Sequence, residues 1–149
     1  MKIIGVAPHI AVPTFLYLIL AIVLSYSAEE MFAITQDGYA AIAVAGVVMI
    51  VIGVLMVASC GRKLLKSFNN GKLMTDGLYK IFRNPMYAAY LLFILPGIAL
   101  LFNSWLALTT IIVNFILFKI FIKREHRYLR EKFGKEYEEY FKKVLIKFL

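Results

Sequence analysis

The chain has 149 residues with 62% hydrophobic content and a mean hydropathy of +0.79, well above the roughly half-apolar composition of soluble domains. Its apolar residues form long blocks that do not alternate, which excludes a soluble globular domain and a β-barrel and leaves membrane-spanning helices. The formal charge of +8 sits at the edges of these blocks, where basic residues need no nucleic-acid partner.

In chain order, the first predicted span covers residues 10–27, with Pro13 in its first turn. Lys2 before an apolar run and the small Ser27-Ala28 pair imitate a signal peptide, but the run is long for that role and is read as a retained helix. Glu29, Glu30 and Asp37 mark an external loop. The second span covers residues 39–60, with Gly46 and Gly53 on one face, suited to close helix packing. Residues 61–84 form a basic connection with turn signals at Asn69-Asn70-Gly71 and Asp76-Gly77.

Residues 85–118 carry no formal charge. As one helix they would measure about 50 Å, against a hydrocarbon core of about 30 Å. The segment must therefore cross, turn and return, giving spans at 85–101 and 105–122. Pro96-Gly97 predicts a kink in the first, Asn103-Ser104 supplies the turn, and Trp105 suits an interface. In the tail, residues 123–149, Leu129, Phe133, Tyr137 and Phe141 recur every fourth residue among charges, as on an amphipathic helix. The basic segments lie at one face, which the positive-inside bias makes cytoplasmic together with both termini. The expected fold is a single all-α integral membrane domain of four transmembrane helices plus a C-terminal cytoplasmic amphipathic helix.

The returning hairpin brings two polar motifs to that face. The first is Gly77-Leu78-Tyr79-Lys80-Ile81-Phe82-Arg83-Asn84-Pro85-Met86-Tyr87. The second is Lys123-Arg124-Glu125-His126 with Leu129, Phe133-Gly134, Glu136-Tyr137 and Tyr140. Taken singly, Arg83-Asn84-Pro85 reads as a snorkelling base, a cap and a helix-opening proline. The tyrosines likewise read as an interfacial belt. Cys60 alone cannot form an internal disulfide, and His9, His126 and Cys60 lack metal-ligand spacing, so no metal is expected.

In combination, the motifs resemble the isoprenylcysteine carboxyl methyltransferase family and the related membrane phospholipid methyltransferases. Their pattern reads Gly-x-Tyr-Arg-x-x-Arg-His-Pro-x-Tyr, an apolar hairpin, then Glu-Glu-x-x-Leu-x-x-x-Phe-Gly-x-Glu-Tyr-x-x-Tyr. Gly77, Tyr79, Arg83, Pro85 and Tyr87 match the first part, and Glu125, Leu129, Phe133, Gly134, Glu136, Tyr137 and Tyr140 the last. Leu78, Lys80, Asn84 and His126 stand where the pattern has proline, arginine, histidine and a second glutamate. The resemblance implies methyl transfer from S-adenosylmethionine to a lipophilic acceptor that enters from the bilayer, an isoprenylcysteine-type carboxylate or a phospholipid amine. A soluble Rossmann-type methyltransferase is excluded by the lack of Gly-x-Gly-x-x-Gly after a strand.

On that resemblance, Arg83 and Glu125 are the expected reaction residues, and Tyr79, Asn84, Pro85, Tyr87, Glu125 and Tyr137 the expected donor-binding set. Glu125 would accept from an ammonium or hydroxyl, tyrosine rings would face a sulfonium, and the Arg83 fork would orient a carboxylate or phosphate. Two other classes are a small four-span transporter and a non-catalytic scaffold or lipid-binding protein. Transport is disfavoured because no span holds an ionisable residue well inside it, Asn114 being the strongly polar side chain near mid-span.

Overall fold

The computed structural model describes residues 6–147; Lys2 and the last two tail residues lie outside the described residues. Helix α1 (Ala7–Ser27) opens three residues before the expected start. Pro8 suits its first turn, where an N–H has no intrahelical acceptor, and Pro13 lies inside the helix. A short α2 (Glu29–Phe32) carries two of the loop's three acids, Glu29 and Glu30. Helix α3 (Tyr39–Asn69) runs nine residues past the expected end at Cys60. Residues 61–69 include Arg62, Lys63, Leu64, Leu65 and Lys66, all good helix formers, so nothing stops the helix before the turn at Asn70-Gly71, where Gly71 has φ +65°.

After a 3₁₀ turn (Gly77–Lys80), the third apolar segment is three pieces: α4 (Pro85–Ala89), a π-turn (Tyr90–Ile94) and α5 (Leu95–Leu101). The irregularity expected at Pro96-Gly97 thus falls one turn earlier. Pro96 has no N–H and its ring crowds the carbonyl of Leu92, so the hydrogen-bond register widens there. A single-turn α6 (Trp105–Leu108) leads into α7 (Thr110–Phe133). The tail differs from expectation: α7 passes unbroken through Lys123–His126, because the run to Phe133 contains neither Gly nor Pro. Gly134, at φ +51°, ends it, and α8 (Lys135–Lys143) follows as a separate helix.

The described residues are helical throughout their long elements, and three helices are long and apolar enough to cross a membrane: Ala7–Ser27, Tyr39–Ser67 and Trp105–Phe133; the apolar segment Pro85–Leu101 is shorter. Valines 44, 47, 48, 51 and 54 of α3 are exposed, an arrangement that hydrocarbon satisfies and water does not. The chain is a membrane protein. Helices α3 and α5 meet backbone to backbone: a Cβ on Gly46 would lie 2.7 Å from the Gly97 carbonyl oxygen, and one on Gly97 2.8 Å from that of Gly46. A Cβ on Gly53 would lie 2.6 Å from Ile94. The close packing expected of Gly46 and Gly53 is present, with Gly97 facing Gly46 and Ile94 facing Gly53.

Candidate functional site at the basic end of the bundle

The chain passes up and down, so that the start of α1, the end of α3, the start of α4 and the charged end of α7 gather at one end. There Val6, Ile10, Ala88, Leu91, Phe118 and Ile122 form a buried apolar layer. Above it, Tyr137, Tyr140 and Val144 pack with Leu73, Tyr79, Leu129 and Phe133 as a second cluster. Between the two lies an open-mouthed cavity of about 110 Å³.

All of the residues singled out from the sequence, Tyr79, Arg83, Asn84, Pro85, Tyr87, Glu125 and Tyr137, line this cavity. Leu64, Lys72, Met74, Met86, Tyr128 and Tyr140 line it as well and were not singled out as site residues. Met86 and Tyr140 stood in the two motifs; Leu64 lies near the end of α3, and Lys72 and Met74 lie in the segment that leads to the first motif, where Lys72-Leu73 to Gly77 resembles the family's approach to it.

Arg83 does not project freely. Its Nε and Nη2 donate to the Tyr137 hydroxyl at 3.1 and 2.7 Å. Its Nη1 reaches the Lys147 carbonyl at 3.5 Å, and the guanidinium stacks 4.5 Å from the Phe141 ring. Tyr140 donates to the Tyr79 carbonyl at 2.9 Å, with the Arg83 carbonyl at 3.4 Å. The tail then pairs with the first motif: Ile146 N–H donates to the Ile81 carbonyl at 2.7 Å and Arg83 N–H to the Ile146 carbonyl at 3.0 Å. Helix α8 and the strand-like residues after it therefore roof the cavity, with Tyr137 and Tyr140 buried in its lining.

Asn84 is the N-cap of α4, ahead of Pro85 at N1. Its backbone carbonyl accepts from Ala88 N–H at 3.0 Å, and its side-chain Nδ2 lies 3.4 Å from His126 Nε2. Glu125 is on α7, beyond the apolar stretch that ends at Ile122. Burial raises its pKa, opposed by a hydrogen bond from the Val6 backbone N–H. Burial is likewise the main cause that raises the hydroxyls of Tyr79, Tyr137 and Tyr140, so these remain protonated donors at neutral pH. For Tyr137 the Arg83 bond works in the opposite direction. His126 is lowered to about 3, first by burial and then by Arg83, Lys119 and Arg130, and is a neutral imidazole. Among the described residues no group of His, Cys, Asp or Glu is placed to hold a metal ion.

The cavity thus offers one half-buried carboxyl, one buried amide and several protonated phenols in a largely apolar wall, a set suited to a mostly organic ligand with a cationic group. The profile of the phospholipid methyltransferase family matches residues 38–136. The chain belongs to the phospholipid methyltransferase family. The match holds both motifs and the hairpin between them, and leaves out α1 and most of the roof.

Similar proteins agree with that family. The chain is 34% identical over 111 residues to a probable protein-S-isoprenylcysteine O-methyltransferase of Oryza sativa subsp. indica, covering 66% of this chain and 56% of that protein. It is 29% identical over 131 residues to protein-S-isoprenylcysteine O-methyltransferase B of Arabidopsis thaliana, covering 82% and 66% respectively. Against protein-S-isoprenylcysteine O-methyltransferase of Schizosaccharomyces pombe it is 37% identical over 75 residues, 48% of this chain and 30% of that protein. The chain spans little more than half the length of the rice relative. No solved structure matches it significantly.

Proposed function

We propose that this chain is a membrane methyltransferase that uses S-adenosylmethionine and acts on a lipophilic acceptor, an isoprenylcysteine-type carboxylate or a phospholipid amine. The observation that carries the reading is the single cavity shared by both family motifs, with the half-buried Glu125 and the buried Asn84 among its polar groups. S-adenosylmethionine, when bound, supplies a methyl group activated on a sulfonium. The chain's own residues bind, orient and exclude water. The Glu125 carboxylate accepts from a donor ammonium or hydroxyl, Asn84 and the backbone opened at Pro85 supply further polar contacts, and the rings of Tyr79, Tyr87 and Tyr137 face the cation. Arg83 orients the acceptor's carboxylate or phosphate through the N–H groups that Tyr137 and Lys147 leave free. Holding acceptor and donor in line is the protein's main contribution to rate.

In this reading the chain is one membrane domain. Pro85–Leu101 completes four crossings by using its irregular middle, and α8 lies as an amphipathic helix at the cytoplasmic face beside both termini. The basic residues of 61–84 and of the tail support that orientation. The acceptor enters from lipid and the donor from the aqueous face, with no metal and no nucleic acid involved.

Membranes holding the overexpressed protein should transfer labelled methyl from S-adenosylmethionine into an organic-extractable product, identified by mass spectrometry. The same membranes with Glu125→Ala should not. An equal label in both, or none in either across lipid, isoprenylcysteine and amine acceptors, contradicts the reading.

A further inference from the structure

Asn84 and His126 are two positions at which this chain departs from the family pattern. They are 42 residues apart in sequence, yet their side chains meet, Nδ2 of Asn84 lying 3.4 Å from Nε2 of His126. Asn84 is 8% exposed and lines the cavity, whereas His126 is not among the lining residues. Successive residues of a helix point about 100° apart, so α7 turns Glu125 into the cavity and His126 to the rear of Asn84. An amide nitrogen only donates. With the amide oriented in this way, Nε2 accepts and the imidazole proton sits on Nδ1.

We propose that His126 is a positioning residue for this cavity, fixing the Asn84 amide by accepting from its Nδ2, so that the Asn84 carbonyl oxygen is the atom left to meet donor groups of the ligand. This rests on the donor-binding reading above. A ligand rich in hydroxyl and amino donors, such as the ribose and adenine of S-adenosylmethionine, needs an acceptor at that wall. A freely rotating amide would present its nitrogen there part of the time. The arrangement requires an uncharged ring, and burial together with Arg83, Lys119 and Arg130 keeps His126 uncharged. A histidinium at this place would carry a proton on Nε2 and force the amide to reverse.

The test uses full-length protein in detergent micelles titrated with S-adenosylhomocysteine, thermal midpoints serving as the fold control. His126→Ala and His126→Lys should each weaken binding by about tenfold, by analogy with the loss of the partners that orient metal ligands. His126→Gln, which keeps an acceptor at similar reach, should bind within about twofold of wild type. Because the two side chains act as a unit, adding His126→Ala to Asn84→Ala should cost nothing more. With only two histidines in the chain, ¹⁵N-imidazole spectra can be assigned through His9→Ala. His126 should appear as the Nδ1–H tautomer and become a tautomer mixture in Asn84→Ala. Binding by His126→Lys equal to wild type, losses that multiply in the double variant, or an Nε2–H tautomer overturns the inference alone. Absence of binding by the wild-type protein overturns the donor reading, and this inference with it.

Discussion

The two ends of the bundle use polar residues in opposite ways. At the end that carries Glu29, Glu30 and Asp37, polar side chains are spent on tying the chain to itself. Asn103, at φ +51°, donates from Nδ2 to the Thr35 carbonyl at 2.8 Å and accepts from the Thr35 N–H at 3.1 Å. Ser104 bonds Ser25 at 2.6 Å and caps α6 by accepting from Ala107 N–H at 2.9 Å, while the Trp105 indole donates to the Met31 carbonyl at 2.9 Å. At the basic end, Arg83, Tyr137 and Tyr140 tie the roof down, but Glu125 and Asn84 keep part of their bonding capacity toward a cavity. A turn of the hairpin that only has to close can satisfy every group internally. A binding site has to leave some groups for its ligand, as the basic end does with Glu125 and Asn84 beside its cavity.

Four changes would break or sharpen this contrast. The largest effect is expected from Gly97→Leu, which forces a side chain into the contact with Gly46 and Ile50 beneath both ends. Overpacking of this kind costs about 3 kcal/mol, so unfolding in micelles should occur at markedly lower denaturant, with both ends loosened together. Arg83→Ala should act on one end alone. Losing charge-assisted bonds to Tyr137 costs about 2 kcal/mol, and hydrogen exchange should rise across residues 135–147 while residues 31–39 and 101–107 stay protected.

Ser104→Ala is the mirror experiment. It removes an N-cap bond and the contact to Ser25, costing about 1–2 kcal/mol, with no change in S-adenosylhomocysteine affinity. The last concerns pH. Burial raises the Glu125 pKa, and a ligand that donates to this group needs its ionised form. Affinity should therefore weaken as pH falls through the raised Glu125 pKa, approaching about tenfold per unit below it, and Glu125→Gln should abolish the dependence. His126, lowered to about 3, stays neutral across that range and should not contribute to the binding profile.

Much of the fold was legible because it follows from local composition. The apolar blocks, the Asn103-Ser104 turn and the small-residue face of Gly46 and Gly53 each carry their own signal. The residues that gather at the cavity were legible through the two motifs, and the returning hairpin accounts for their meeting. The features that went unread depend on long separations or on propensity overriding a charge boundary. Helix α7 crosses from apolar to basic sequence without a break, since Lys, Arg and Glu extend a helix as well as Leu does. The Val6 N–H on Glu125 joins residues 119 positions apart. Arg83 was expected to await an acceptor, yet Tyr137 and Phe141 hold most of its fork, a contact that only the folding back of α8 after Gly134 creates.

The account's central claim is that the surplus polar groups of the basic end bind a methyl donor. Titrating detergent-purified protein with S-adenosylhomocysteine by calorimetry tests it most directly. The prediction is saturable binding at one site per chain in wild type and in Ser104→Ala, and a loss of at least tenfold in Glu125→Ala, as expected when a charged ligand group loses its partner. Wild-type protein that binds nothing, or Glu125→Ala that binds as tightly as wild type, would contradict it.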